Sequence, residues 1–182
     1  MINRYAISLL SILVAASGAH AQDAITYKPQ SMLQSTPMRV EVIDATSFRD
    51  IESGASYRLY GVDSCLQTQT ANLSRQSWLC GAVAIAWLTN ATLGKWVSCN
   101  IVRETGGQRL SRCSSSEHQD LAADMLKEGL AVVLPAAAGQ EVRAYSQLQD
   151  QARKQYKGLW SSQFTMPWEL RSKDPHEAVS DH

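Results

Sequence analysis

The four cysteines constrain the fold of this chain more than any other feature; they are Cys65, Cys80, Cys99 and Cys113. An even number of cysteines in an exported protein indicates disulfide bonds, and four cysteines allow three pairings. Two strand-like stretches, 97–102 and 110–115, flank a Thr-Gly-Gly-Gln turn, and Cys99 and Cys113 lie symmetrically about Gly106. A tight hairpin sets these two cysteines opposite each other, at a Cα separation that suits a bridge. We therefore predict Cys99–Cys113 and Cys65–Cys80 bonds; a zinc site is disfavoured because the chain lacks a C-x-x-C pair.

The N-terminus has the pattern of a secretory signal. Arg4 precedes an apolar run over 5–16, which is shorter than the roughly 20 residues that span a bilayer. Ala19-His20-Ala21 is a small-x-small cleavage site. We predict a signal peptide over 1–21, cleavage near Ala21, and a mature chain in the periplasm or outside the cell. No later stretch is apolar enough to predict a transmembrane segment.

Length and charge indicate one domain without a strong overall field. About 160 residues remain after cleavage, which fits one domain of roughly 100–200 residues. Lys+Arg and Asp+Glu both number 17, so the formal net charge is zero. A nonspecific polyanion binder needs a basic field, so this balance disfavours that class of protein. A local basic groove remains compatible with a net charge of zero.

The order of predicted elements favours an α+β fold. Five short strands with hairpin connections and interposed helices fit a five-stranded antiparallel β-barrel of the OB type with three helices. The predicted strands cover 39–51, 56–62, 97–102, 110–115 and 130–134, and the predicted helices cover 73–93, 117–128 (capped by Ser116) and 141–157. The domain then spans 39–161, between a polar N-terminal arm over 22–38 and a C-terminal extension over 162–182.

Residues 57–63 (YRLYGVD) place Arg58 on a strand and deliver Asp63 into a turn. At the end of one strand, both side chains can face one cleft. This pair suits phosphodiester chemistry, because an aspartate can hold a cation and an arginine forks onto a phosphate. Taken alone, the stretch is better explained by an edge-strand arginine and a turn aspartate.

Five segments in order resemble the staphylococcal nuclease family, over about residues 39–160. The final signature and the R-L-x-G-x-D strand are specific in combination. The matching segments are 42–47 (VIDATS), 57–63 (YRLYGVD), 80–84 (CGAVA), 121–134 and 152–160 (ARKQYKGLW).

The resemblance implies an activity and a set of positions for it. Members of the family cleave DNA and RNA phosphodiesters with one Ca²⁺, two metal-binding aspartates, a glutamate that activates water, and two arginines that hold the phosphate. By this resemblance, Arg58 is the first arginine and Asp63 is the second metal aspartate. The remaining positions depart from the family pattern: Thr46 stands at the first metal aspartate, Leu66 at the glutamate, and Gln108 at the second arginine.

Two neighbouring residues are candidate replacements. Arg109 follows Gln108 and is the candidate second arginine, and Asp44 precedes Thr46 and is a candidate metal ligand. Loss of a carboxylate ligand weakens Ca²⁺ binding, and loss of a general base costs about 10²–10⁴-fold in rate. We therefore predict that the protein binds Ca²⁺ as a cofactor only if a metal site survives, and that it otherwise has no cofactor.

The resulting functional hypothesis is an exported, catalytically impaired nuclease homologue. It would bind single-stranded nucleic acid or another anionic polymer in the barrel cleft. Two alternatives stay open at this point, so enzymatic activity stays open too. One is an active metal-dependent phosphodiesterase with a rearranged site, and the other is a disulfide-stapled module that binds a protein of the cell envelope.

Overall fold

The computed structural model describes residues 33–137 and 139–172. The main sheet has six strands in the order β1-β8-β9-β4-β3-β2. Two further strand pairs, β5 with β10 and β6 with β7, complete the described strands. The strands are β1 (Leu33–Gln34), β2 (Val40–Val42), β3 (Ser47–Asp50), β4 (Ser56–Leu59), β5 (Val62–Asp63), β6 (Thr70–Leu73), β7 (Gln76–Leu79), β8 (Ser98–Thr105), β9 (Gln108–Ser114) and β10 (Val132–Val133).

Four α-helices lie within the described residues, so the predicted α+β class is confirmed. They are α1 (Cys80–Thr92), α2 (Leu121–Lys127), α3 (Gln140–Lys154) and α4 (Pro167–Arg171), with a short 3-10 helix over Gly158–Ser161. The helix that was not predicted, α4, lies in the C-terminal extension. No helix within 33–137 and 139–172 is long and apolar enough to cross a membrane.

One stretch of chain, residues 33–42, supplies both edge strands of the main sheet. Its first half pairs with β8, through Leu33 opposite Ile101 and Met38 opposite Val97. Its second half, β2, pairs with β3. The two edges therefore belong to one continuous segment, as an OB-type barrel requires.

The pair β4·β9 departs from the all-antiparallel prediction, because it is parallel, with Ser56 opposite Gln108. Tight turns fix the direction of β3 against β4 and of β8 against β9, and both of these pairs are antiparallel. The two hairpins are joined through α1, and a long connection does not fix strand direction. The local turns therefore predicted the hairpins correctly and left their mutual direction open.

The predicted helix 73–93 is wrong in its first part. Residues 70–79 form the β6–β7 hairpin, in which Ser74 takes a positive φ of 55° in the turn. Helix α1 begins at Cys80. The apolar side chains of this stretch fit helical spacing as well as strand alternation, and short apolar runs do not discriminate between the two.

The second predicted helix begins later than Glu117. Helix α2 starts at Leu121, and Asp120 caps it by accepting a hydrogen bond from the Ala123 N–H at 3.1 Å. Asp120 therefore takes the capping role that was predicted for Ser116. Both residue types cap helices, so the sequence offered two start points within one short polar stretch.

Two clusters of buried apolar side chains form the core. The larger lies between the main sheet and helices α1 to α3, with Phe48, Leu59, Leu88 and Met125 fully buried. The smaller includes Cys65, Cys80, Val132 and Leu159, and Trp160, Phe164 and Trp168 pack against it. Residues 162–172 of the predicted extension therefore cover part of the core. The predicted signal peptide, most of the N-terminal arm and residues 173–182 lie outside the described residues.

Both predicted disulfides are confirmed. Cys99 and Cys113 are direct cross-strand neighbours with Cα atoms 4.1 Å apart, and the Cys65 and Cys80 Cα atoms are 5.8 Å apart. Both backbone groups of Cys99 bond to Ser35. The Cys99 N–H donates to Ser35 Oγ, and the Cys99 carbonyl accepts the Ser35 N–H. The Cys99–Cys113 pair is therefore the non-hydrogen-bonded, closer type of cross-strand pair.

We expect the double change Cys99→Ser and Cys113→Ser to lower the free energy of unfolding by about 3 kcal/mol, since the bond closes a short loop. Urea denaturation of both proteins measures it. The adjacent cross-strand pair gives a matched control: Ser98→Ala with Ser114→Ala removes one hydrogen bond of 3.4 Å and should cost less than about 1 kcal/mol. Equal midpoints for the cysteine variant and the parent would contradict the prediction.

Candidate functional site

Asp63 is the centre of the site, and backbone structure fixes it there. It ends strand β5, opposite Val132, and is 1% exposed. Its Oδ1 accepts the Ser64 N–H at 2.9 Å, and the Ser64 hydroxyl donates to the Leu130 carbonyl at 2.6 Å. The strand turns into β5 at Gly61, whose φ of 78° favours glycine. The carboxylate is therefore buried and held in one orientation.

The structure brings Arg58 and Asp63 together, as the sequence predicted. Arg58 lies on β4 and donates from Nη2 to Asp63 Oδ1 at 3.2 Å. The Arg58 side chain is 14% exposed, whereas the Asp63 side chain is 2% exposed. The guanidinium group is therefore more accessible to solvent than the carboxylate that it contacts.

A second arginine, Arg171 of α4, binds the same carboxylate, and the sequence analysis missed it. Its Nη2 contacts Asp63 Oδ1 and its Nε donates to Oδ2 at 3.3 Å. Nη2 also donates to the Ser64 carbonyl at 3.3 Å. This is a forked arginine–carboxylate pair, the strong form of such a contact. Nothing in the local sequence marks Arg171, because it lies in the last turn of a short helix and 108 residues from its partner.

Asp44, the candidate replacement ligand, is committed to its own turn. Its Oδ1 accepts hydrogen bonds from the Thr46 N–H at 2.7 Å and the Thr46 hydroxyl at 3.2 Å. The Thr46 carbonyl in turn accepts the Leu59 N–H at 2.8 Å, which ties this turn to β4. Asp44 therefore has a structural role that explains its position without a metal.

The position of the family glutamate holds no acid or base. Leu66 lies in the loop closed by the Cys65–Cys80 bond, and its N–H donates to Gln69 Oε1 at 3.0 Å. The Gln69 amide then donates to the Thr165 carbonyl at 2.7 Å. The Gln69 amide therefore links the loop, through its oxygen, to the C-terminal segment (residues 162–172), through its nitrogen.

Arg109 is not brought to Asp63. In the β4·β9 pair, Arg109 is opposite Tyr57 and Leu110 is opposite Arg58. Side chains alternate between the faces of a strand, so Arg109 and Arg58 lie on opposite faces. Arg109 instead donates to the Tyr57 hydroxyl and to Glu104, both at 2.9 Å, and these bonds raise the pKa of Arg109.

In the register of the β4·β9 pair, Gln108 and Arg58 lie on the same face of the sheet. At the position where the resemblance implies the second arginine, this face therefore carries an amide. An amide can donate hydrogen bonds to a phosphate but brings no charge. The site therefore lacks the second arginine at its expected position and gains one, Arg171, from a different element.

Nearby, a tyrosine and an aspartate join α2 to α3. The Tyr145 hydroxyl donates to Asp120 Oδ2 at 2.7 Å, and Arg112 approaches the same oxygen at 3.5 Å. Burial first, and then the Asp120 carboxylate, raises the pKa of Tyr145 far above its ordinary value. The tyrosine therefore stays protonated at any ordinary pH and acts as a fixed donor.

A separate cavity of about 530 Å³ lies between the 68–72 segment and the C-terminal segment. Among the described residues that line it, hydroxyl and amide side chains supply most of the wall and none carries a charge. The lining residues are Thr68, Gln69, Thr70, Asn72, Gln163, Phe164, Thr165 and Leu170. The described part of this wall is therefore polar and uncharged.

The donor set does not fit a calcium ion. Ca²⁺ takes six to eight oxygen ligands, with carboxylates prominent among them. Across 33–137 and 139–172, no group of three or more His, Cys, Asp or Glu side chains could hold a metal ion. Both oxygens of Asp63 already accept hydrogen bonds from arginine side chains.

The described domain is mixed α+β and holds an arginine and an aspartate together at one strand end, at the positions that the resemblance to nucleases implied. The chain belongs to the family of staphylococcal nuclease homologues, whose model matches residues 56–162, more than half of its length. The match includes Arg58 and Asp63 and begins after the Asp44–Thr46 turn.

The chain is also similar to a protein described as probable endonuclease LCL3 from Arthroderma otae. The two are 28% identical over 136 residues, covering 68% of this chain and 47% of that protein. The chain thus spans about half the length of this curated relative.

Proposed function

We propose that this protein is an exported, catalytically impaired nuclease homologue that binds nucleic acid in the cleft beside Arg58 without a metal ion. One observation carries the proposal: arginine side chains bond both oxygens of the Asp63 carboxylate, the metal ligand that the family resemblance implies. Family membership supports nucleic acid as the ligand class, and so does the endonuclease description of the relative.

The missing chemical groups support the loss of cleavage. Thr46 at the first metal aspartate brings no charge to a cation, and Leu66 at the glutamate accepts no proton. A missing general base alone costs about 10²–10⁴-fold in rate. Without a carboxylate cluster to hold Ca²⁺, the charge that develops on phosphate loses its main stabilisation.

Export is the second part of the proposal. The signal-like segment 1–21 supports it, and so do the two disulfides, since such bonds persist in oxidising compartments. The protein would then meet nucleic acid in the periplasm or outside the cell.

The test uses the oxidised chain from residue 22 onward with labelled single-stranded DNA and RNA, in Ca²⁺ and in EDTA. We expect no Ca²⁺-dependent cleavage and, by fluorescence anisotropy, binding that is equally strong in EDTA. Arg58→Ala should weaken binding about tenfold or more, because a charge-assisted bond to phosphate is lost.

Arg75→Ala is the matched control, since it removes the same charge from the exposed β6–β7 turn. It should change affinity by about twofold at most, because screened surface charges contribute little. Metal-dependent cleavage that disappears in Arg58→Ala and in Asp63→Ala would overturn the proposal. It would establish instead an active phosphodiesterase with a rearranged site.

A further inference from the structure

Hydrogen bonds join the two walls of the cavity between the 68–72 segment and the C-terminal segment. Asn72 and Gln163 exchange backbone hydrogen bonds of 2.8 and 2.9 Å, and the Gln69 amide nitrogen donates to the Thr165 carbonyl at 2.7 Å. The cavity volume of about 530 Å³ lies within the range of small-molecule sites, roughly 300–1,000 Å³. The tertiary fold therefore provides a recess of fixed shape and suitable size.

Several polar side chains of the wall are available to a ligand. The side chains of Thr68, Thr70 and Gln163 are exposed and have no hydrogen-bond partner within the described residues. Asn72 Oδ1 accepts the Ser77 hydroxyl, and the amide nitrogen of Asn72 remains a donor. Hydroxyl and amide groups can both donate and accept hydrogen bonds. The wall therefore presents donors and acceptors side by side.

An aromatic ring, that of Phe164, is part of the same wall. The ring meets Trp160 edge-on, with centroids 5.4 Å apart, and packs against the smaller core cluster, so its position is fixed. Unpaired bases of nucleic acids stack on aromatic side chains and form hydrogen bonds along their edges. A fixed ring beside amide and hydroxyl groups offers both kinds of contact.

We infer that this cavity is a nucleobase-binding subsite, in which Gln163 and Thr70 contact the edge of the base. A glutamine amide pairs with the neighbouring donor and acceptor of adenine, so adenine is the base that this wall suits. The inference rests on the proposed function, because it names the part of a nucleic acid strand that the uncharged wall receives. The base can belong to a strand or to a free nucleoside, and the experiment below separates these two sources.

Two connections along the chain tie the cavity to Asp63. Leu170 lines the cavity and directly precedes Arg171, whose guanidinium group contacts the Asp63 carboxylate. Gln69 also lines the cavity, and it belongs to the loop that follows Asp63. The cavity is therefore a neighbour of the cleft, as a subsite for the same strand requires.

A neutral sugar is the other class of ligand that hydroxyl and amide groups suit. The family of the chain and the endonuclease description of its relative favour a base over a sugar. The uncharged character of the described wall favours a base over a phosphate group. A sugar is therefore kept as an outcome of the test.

The test uses the oxidised chain from residue 22 onward in EDTA, with labelled oligo(dA) and an abasic strand of the same length. We expect the parent to bind oligo(dA) about tenfold or more tightly than the abasic strand by fluorescence anisotropy. Gln163→Ala combined with Thr70→Val should remove most of this preference, because hydrogen bonds to the base are lost. Affinity for the abasic strand should change by about twofold at most.

Gln76→Ala is the matched control, since it removes an exposed amide from β7 of the same hairpin, outside the cavity lining given above. It should leave both affinities within about twofold of the parent. Circular dichroism establishes that each variant is folded, and Gln163→Ala alone replaces the double variant if that one is unstable. The single change should lower the preference about threefold or more.

The outcomes separate this inference from the proposed function. If the parent binds both strands equally, or if the folded variant keeps the full preference for oligo(dA), the inference fails and the proposed function stands. Thermal melting with adenosine tests the free nucleoside, because a ligand that binds the folded state raises the Tm. If the parent binds neither strand, but adenosine raises its Tm and the variant abolishes the rise, the proposed function fails and the inference stands.

Two further results would overturn the inference. One is a parent that binds neither strand and shows no rise in Tm with adenosine. The other is a rise in Tm with maltotriose, a neutral trisaccharide, that the variant abolishes while neither adenosine nor the bases of oligo(dA) have an effect. That result would assign the cavity to a sugar.

Discussion

Gly129→Ala lowers the free energy of unfolding by about 3 kcal/mol or more, which we expect to be among the largest effects of any single methyl group in this protein. Gly129 follows α2 and has a φ of 67°, in the left-handed region. A Cβ built there would lie 2.2 Å from the Lys157 carbonyl oxygen. The Leu159 N–H donates to the Gly129 carbonyl at 2.9 Å, so the two backbones pack directly against each other.

Two costs combine at Gly129. A non-glycine residue in the left-handed region costs about 1–2 kcal/mol, and forcing apart a packed backbone adds about 1–3 kcal/mol. Gly158 faces Gly129 from the other side, where a Cβ would meet the Gly129 carbonyl at 2.5 Å, so neither backbone can yield easily. This contact holds the start of the 3-10 helix against the segment that leads from α2 into β10, the strand that pairs with β5.

Gly94→Ala is the matched control for this prediction. Gly94 follows α1 with a φ of 71°, but a Cβ there would have no atom within 4 Å. It should therefore cost only the backbone strain, about 1–2 kcal/mol. Urea denaturation of both variants measures the difference, and equal losses at Gly94 and Gly129 would contradict the packing explanation.

Asp63→Asn should lower the free energy of unfolding by about 2–4 kcal/mol in EDTA. The change removes the carboxylate charge that Arg58 and Arg171 both contact, at a side chain that is 2% exposed. Breaking a fully buried ion pair costs about 3–5 kcal/mol, and the partial exposure of the two arginines reduces this. Guanidinium chloride denaturation without metal gives the measurement.

The sign of this effect distinguishes two kinds of site. In a metal site without its ion, carboxylates repel one another, so the loss of one tends to raise stability. Here the aspartate is surrounded by positive groups, so its loss should destabilise the protein. Higher stability of Asp63→Asn in EDTA would contradict a carboxylate held by the two arginine contacts.

Glu41→Gln is the control for loss of a carboxylate. Glu41 pairs with Arg49 at 2.7 Å, but both side chains are at least half exposed. Exposed pairs contribute about 0–1 kcal/mol, so this variant should differ little from the parent.

Local patterns in the sequence determined the features that short stretches of chain specify. The Gly106–Gly107 turn fixed the hairpin that carries Cys99 and Cys113, and a β-bulge between Ile101 and Arg103 completed the register that sets the two cysteines opposite each other. The stretch 57–63 placed Arg58 and Asp63 close together, because a strand and its following turn leave few ways to orient two nearby side chains. The limit of local patterns appears at 70–79, where helical and strand spacing coincide and the structure forms a hairpin.

Tertiary structure alone decided the character of the site. It set the register of β4 against β9, which placed Arg109 and Arg58 on opposite faces of the sheet, and it brought Arg171 to Asp63 across 108 residues. Neither outcome follows from a local pattern, because each depends on how separate elements dock through the core. The sequence therefore indicated Arg58 and Asp63, and the packing of the C-terminal helix determined that Arg171 shares the Asp63 carboxylate.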